Sequence, residues 1–232
     1  MSTLLGQLYE AHHRQRRNAG DFVFVPERIP LFQEAIGQGR HVLDLGCRSG
    51  ALTRHFLEGN EVVGVDVDRA ALAKAEQLGI TPVVADVDEP LPLDSAAFDV
   101  VVAGELLEHV RFPLALVAEV RRVLRPGGVF VGSVPNAFRV QNRLRFVRGL
   151  QPEKDPTHLH MFTPADIRAL LSDFTGVRLA VLGGRYRRLH ARLLAQDIVF
   201  SAARPYVAGS APSSGISARS ESARADAELA PS

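Results

Sequence analysis

Short apolar runs, each closed by glycine or a polar residue, alternate along this chain with stretches whose apolar positions recur at helical spacing. The runs predict strands at 42–45, 62–66, 82–85, 98–103 and 128–134. The intervening periodicity predicts helices at 26–36, 50–58, 69–78 and 113–124. Val100-Val-Val-Ala103 and Val62-Val-Gly-Val65 have no polar alternation, so both faces of these strands are expected to be covered, as in a parallel sheet between helix layers. Arg125-Pro-Gly-Gly128 reads as a turn that stops one helix and launches the next strand. After Pro135 the pattern changes. Residues 136–149 form a basic amphipathic segment of helical type, 151–163 have no period and read as a loop or lid, and Thr163-Pro-Ala-Asp166 opens a helix ending near Leu171. Val177–Leu182 and Asp197–Ala202 are expected to pair antiparallel as the last two strands. Residues 1–18 read as a polar helix, and the Ala/Ser/Gly/Pro-rich stretch from Val207 onward as a disordered tail.

The 232 residues suffice for one domain with a real core. No apolar run approaches the ~20 residues that span a bilayer, and the first residues lack the apolar stretch of a secretory signal. These features, with a lone cysteine at Cys47 that has no disulfide partner in the chain, predict a cytoplasmic protein without a membrane partner. The near-zero net charge hides a division. Acids outnumber bases from His41 to Val120, whereas arginine dominates from Arg121 to Pro205, a balance suited to an anionic partner or to a solvated surface.

Candidate chemistry starts at His41-Val-Leu-Asp-Leu-Gly-Cys-Arg-Ser-Gly50. A strand carrying an acid at Asp44, a break at Gly46 and a reopening near Gly50 make a cradle whose free backbone N–H groups face a ligand. About 20 residues past Gly46, a second strand ends in Asp66, placed to accept hydrogen bonds from ribose hydroxyls. The spacing is not the G-x-G-x-x-G of nicotinamide and flavin enzymes.

With its acid inside the first strand, the segment resembles motif I of the class I S-adenosylmethionine (SAM) methyltransferases. Further pieces follow in register: Asp66; Val83-Val-Ala-Asp86-Val87; Phe98–Glu105 followed by Leu106-Leu-Glu-His-Val110; and Leu124-Arg-Pro-Gly-Gly-Val-Phe-Val131. The resemblance implies an α/β, Rossmann-like, doubly wound seven-stranded sheet, mostly parallel with one antiparallel strand near the C-terminal end. It implies an N-terminal helical cap at 1–39, a methyltransferase domain at 40–205 whose 137–163 segment is a lid facing the substrate, and a tail at 206–232. It implies SAM as cofactor. Asp44 would orient the methionine end, Gly46, Cys47 and Gly50 would line the cradle, Asp66 with Val67 would hold the ribose, Asp86 with Val87 would hold the adenine, and Gly104 would be a further cofactor-binding residue. Cys47 is also a small packing residue. Families usually place glycine where this chain has Arg48, which must keep φ negative or accept strain of roughly 1 kcal/mol or more.

Glu105, Glu108 and His109 form an E-x-x-E-H sequence, and read as a helix they share one face. Two carboxylates and an imidazole suit a hard divalent ion such as Mg²⁺, with His160 as a fourth ligand ahead of His158. That set resembles the metal site of small-RNA 3′-terminal 2′-O-methyltransferases and of some quinone-pathway O-methyltransferases. Without a metal, the same residues would line the pocket, with His109, His160 and Glu105 as candidate catalytic groups. His12 and His13 read as surface residues.

Ser133-Val-Pro-Asn136, the basic segment and His158-Leu-His160 resemble, more loosely, the MetW-like group and quinone-biosynthesis O-methyltransferases. The leading expectation is O-methylation of a small or anionic metabolite. Two alternatives stand beside it: a metal-assisted RNA 2′-O-methyltransferase, and a SAM-binding regulatory partner of another enzyme. With 12 Phe, 3 Tyr and no Trp, the stacking platforms of a single-strand binder are scarce, so nucleic acid is not the favoured partner.

Overall fold

A computed structural model describes residues 26–152, 155, 157–183 and 195–206. The expected helix at 1–18, His12, His13 and the tail from Val207 lie outside the described residues. Seven strands form one sheet: β1 (His41–Leu45), β2 (Glu61–Asp66), β3 (Thr81–Val84), β4 (Phe98–Gly104), β5 (Leu124–Pro135), β6 (Thr175–Leu182) and β7 (Asp197–Ala203). Their order is β3-β2-β1-β4-β5-β7-β6, parallel throughout except that β7 runs antiparallel to both β5 and β6. The helices are α1 (Ile29–Ile36), α2 (Arg69–Gln77), α3 (Pro113–Val123), α4 (Val140–Val147) and α5 (Pro164–Leu170).

The two faces of the sheet follow from side-chain alternation. Val42, Val100, Val102 and Val131 pack with Phe32 and Ile36 of α1 on one side. Leu43, Leu45, Val101, Ala103 and Phe130 join Val120, Ile167 and Phe200 on the other. The apolar runs therefore mark strands buried on both faces. Local signals set the helix ends. The Asp68 side chain accepts from the N–H groups of Ala70 and Ala71 at the start of α2, and Thr163 with Asp166 forms a reciprocal capping box on α5.

Two expectations fail. The predicted helix at 50–58 shrinks to a single 3-10 turn, Thr53–His55. Thr53 is drawn inward to the β1 acid, and the Asn60 side chain donates to the carbonyls of Phe56 and Gly37, replacing the helical ladder. The Arg125–Gly128 turn is absorbed into β5. Phe98 pairs with Leu124 but Val100 with Val129, so four residues bulge against one, helped by Gly127 at φ 78°.

The chain leaves β1 toward β2 and β3 and later returns to β4 on the other side. The strand order thus reverses between β1 and β4, and the carboxyl ends of these strands frame the crevice where such sheets bind ligands.

Candidate functional site

On the β1 side of the crevice, Asp44 is buried, and the Thr53 hydroxyl donates to its Oδ2 at 2.6 Å. Burial, with the nearby Asp66 charge adding to it, pushes the Asp44 carboxyl up to about 7 against the pull of Thr53. Among the described residues no cation pairs with this buried acid. Asp66, at the end of β2, accepts from the Arg48 N–H at 3.0 Å and the Asp68 N–H at 2.9 Å. These bonds fix the carboxylate while each oxygen keeps accepting capacity. Burial raises its pKa as well. Asp86 is half-buried past β3 and accepts from the Asp88 N–H; Val87 beside it is half-buried, as is Val67 beside Asp66.

The glycines divide their work. Gly46 sits at φ 70°, directly after β1. Gly50, at φ 80°, packs against the returning chain, and a Cβ there would stand 2.7 Å from Ile80 Cδ1. Its small size therefore serves packing as well as the cradle. A Cβ at Gly104 would stand 2.6 Å from Leu52. Cys47 is a buried packing group whose sulfur fills the space above Gly64, and burial pushes its thiol well up, away from thiolate chemistry.

Arg48 accepts the strain, with φ 51°. That left-handed conformation turns its N–H onto Asp66. Arg48→Gly is expected to stabilise the protein by about 0.5–1 kcal/mol, read as a shifted denaturation midpoint, with SAM binding retained because the N–H remains.

At the β4 end, Glu105 also has positive φ, 55°. Residues 105–109 consequently form a turn and not the expected helix. The Glu105 N–H donates to the Ser133 carbonyl, and its Oε1 receives the Ser133 hydroxyl at 2.8 Å and Arg28 Nη1 at 2.9 Å. Arg28, buried at the start of α1, also reaches Ser133 Oγ at 3.0 Å and Asp197 Oδ2 at 3.5 Å. Burial, then the Glu105 charge, pushes Asp197 up to about 7, against Arg28. Arg28, Ser133 and Asp197 carry no spacing signal in the sequence, and they determine where Glu105 points.

Glu108 is 1% exposed, and neither carboxylate oxygen has a hydrogen-bond partner among the described residues. Burial pushes its pKa well up, and Glu105 adds to the effect. Ligand atoms of Glu108, His109 and His158 lie within 4.8 Å of one another. The structure therefore assembles a different set from the Glu105, Glu108, His109 and His160 of the sequence reading. Glu105 is turned to Arg28 and Ser133, and His158 takes the place foreseen for His160. The reason lies in the backbone: Leu159 and His160 both donate their N–H to the Glu108 carbonyl, which pins this stretch against the turn. His109 Nδ1 meets the Thr157 carbonyl at 3.1 Å; with the proton on Nδ1, Nε2 is the lone-pair nitrogen, 3.9 Å from Glu108 Oε1. Thr157 is held in turn by Asp155. His160 Nε2 is buried with no hydrogen-bond partner among the described residues.

The model of a methyltransferase-domain family matches residues 11–175, most of the chain. The chain belongs to the class I SAM-dependent methyltransferases. A "probable S-adenosylmethionine-dependent methyltransferase" of Mycolicibacterium smegmatis is 33% identical over 162 residues, 64% of this chain and 60% of that protein. The chain thus spans under two thirds of that relative's length. A ubiquinone biosynthesis O-methyltransferase of Nitrosococcus oceani is 29% identical over 199 residues, 75% of this chain and 84% of that one. Among solved structures, a SAM-dependent methyltransferase from Archaeoglobus fulgidus has a TM-score of 0.66 at 18% identity, covering 84% of this chain and 99% of the other. A Haemonchus contortus phosphoethanolamine N-methyltransferase in complex with SAM has a TM-score of 0.64 at 16% identity, covering 81% of this chain and 55% of its own. Such distant neighbours share the methyltransferase fold. They do not bring an acceptor with it. The methyltransferase has no helix, among its described residues, long and apolar enough to cross a membrane.

Proposed function

We propose that this methyltransferase transfers a methyl group from SAM to a hydroxyl of a small acceptor, beside a divalent ion held by Glu108, His109 and His158. The observation that carries the reading is the Glu108 carboxylate, buried with neither oxygen hydrogen-bonded among the described residues and with two imidazoles within ligand reach. A buried carboxylate in that state costs the fold free energy unless a cation completes it. The O-methyltransferase name of the Nitrosococcus oceani relative supports oxygen as the acceptor atom. The arginine-rich second half of the chain suits an anionic acceptor.

The residues of the cradle fit the cofactor. Asp44, without a cation among the described residues, suits the α-ammonium group; Asp66 has lone pairs for the ribose hydroxyls; half-buried Asp86 and Val87 would hold the adenine. SAM supplies a methyl group already made electrophilic by its sulfonium, and a divalent ion would acidify a hydroxyl bound to it. The protein has then to align donor and acceptor and to receive one proton. His160 Nε2, buried and unpartnered, is the proton acceptor in this reading. Arg28 and Ser133 fix Glu105 at the end of β4.

The test is incubation of purified protein with methyl-labelled SAM and small-molecule extract, with products read by mass spectrometry. The expected result is a hydroxyl compound gaining one methyl, lost on chelation and restored by Mg²⁺ or Mn²⁺. Turnover indifferent to chelation removes the metal from this reading, and methylation at nitrogen or carbon removes the hydroxyl.

A further inference from the structure

Helix α4 and its flanks are exposed in a way that the fold does not account for. Phe146 is 70% and Val147 81% exposed, and Phe138, Leu144 and Leu150 also face solvent. At 100° per residue, Phe146, Val147, Val140 and Leu144 fall within about 160° of the α4 surface, and Leu150 follows just beyond the helix end. The inner side is held by Asn142, buried, whose Nδ2 donates to the Ala137 carbonyl at 2.9 Å. Arg139, Arg143, Arg145 and Arg148 interleave with the apolar residues, and no acid occurs from Asn136 to Pro152.

An apolar arc left in water forgoes the stabilisation that a partner covering its large side chains would supply. The interleaved guanidinium groups require that partner to be anionic. Arginine stems lie along apolar surface while their heads reach outward, which suits a layer that is apolar below and charged above. We infer that α4 docks this protein on an anionic lipid surface, with Phe146, Val147 and Leu150 entering the acyl boundary and the arginines meeting lipid phosphates. Nucleic acid fits less well, because a strand-binding surface offers aromatic platforms and this arc is mainly aliphatic. The absence of a spanning helix is no objection, since the eight residues of α4 would lie in the interface without crossing it. The inference is independent of the acceptor and of the metal.

Full-length protein is mixed with vesicles of phosphatidylcholine, alone or with phosphatidylglycerol, and the bound fraction is read by sedimentation. Binding is expected only with phosphatidylglycerol and should weaken as salt rises. A Phe146→Ser, Val147→Ser double variant should lower the partition coefficient about a hundredfold, and an Arg143→Gln, Arg148→Gln variant more than tenfold. Both should keep wild-type SAM binding by calorimetry, which shows that they fold. No partition into phosphatidylglycerol vesicles overturns the inference, as does wild-type partition by the apolar variant. So does arginine-dependent binding of single-stranded RNA that ignores Phe146 and Val147, or a dimer in sedimentation velocity that the apolar variant abolishes.

Discussion

Glu108→Gln is expected to stabilise the metal-free protein at pH 8 while lowering methyl transfer by about 10²–10⁴-fold. The two effects share one cause. The native carboxylate is buried and unpartnered, so burial holds its pKa well above that of the unfolded chain. A raised carboxyl pKa means that the folded state binds more protons than the unfolded one. Stability is therefore undiminished below the ordinary value of 4.5 and falls as pH rises through the window above it. Glutamine carries no charge, so its gain should be near zero at pH 4.5 and about 1–3 kcal/mol at pH 8. It is also a poor ligand for a hard cation, which accounts for the lost turnover. Thermal unfolding in chelator from pH 4.5 to 8, beside initial rates with Mg²⁺ added, checks both. A variant destabilised equally at both pH values would make Glu108 a structural acid with a partner, and an active variant would remove it from the site.

What the sequence disclosed depended on whether a feature was local. Burial on both faces was legible in Val100–Ala103 because parallel strands need no polar alternation, and the capping box at Thr163 was legible because its two partners are three residues apart. The E-x-x-E-H spacing reads as a helix, whereas residues 105–109 form a turn. A non-glycine residue at positive φ is uncommon, and nothing in Glu105 itself announces φ 55°. The exchange of His160 for His158 has a similar origin. Which of the two imidazoles meets Glu108 is decided by tertiary hydrogen bonds, the amides of Leu159 and His160 on the Glu108 carbonyl, which no local spacing announces. Arg28 was invisible for a third reason: it meets Glu105, Ser133 and Asp197 only after the whole sheet has formed.

Strain at the crevice is concentrated where the two ligand groups would meet. Arg48 and Glu105 both take left-handed backbone, one after β1 and one after β4, the two strands that flank the reversal of order. At each, the cost is tied to a specific hydrogen bond: the Arg48 N–H on Asp66, and the Glu105 N–H on the Ser133 carbonyl. A conformation that costs about 1 kcal/mol persists when such bonds over-determine it. The same strain fixes Asp66 on one side and turns the 105–109 segment toward the histidines on the other.

The affinity for SAM is expected to fall about tenfold for each pH unit below about 7, and Asp44→Asn should abolish that dependence. The α-ammonium of the cofactor needs a carboxylate, whereas burial favours the neutral acid at Asp44. Below its pKa, binding must therefore expel a proton, and the apparent association constant loses one power of ten per unit. At pH 7.5 the group is mostly ionised, but the ligand's own amine begins to lose its charge near 7.7–8.0. Affinity should thus peak close to neutrality. In the unliganded protein the linkage has the opposite consequence. A carboxyl raised from 3.8 to about 7 by the fold makes stability fall as pH rises across that interval, and SAM should restore it most at the upper end. Calorimetric titration at pH 5.5, 6.5 and 7.5 in buffers of different ionisation enthalpy reads both affinity and proton release. Asp66→Asn serves as the control, because losing the ribose contact should weaken binding while the Asp44-dependent slope survives. Equal affinity at pH 5.5 and 7.5, with no proton released, would mean that Asp44 does not meet the ammonium group.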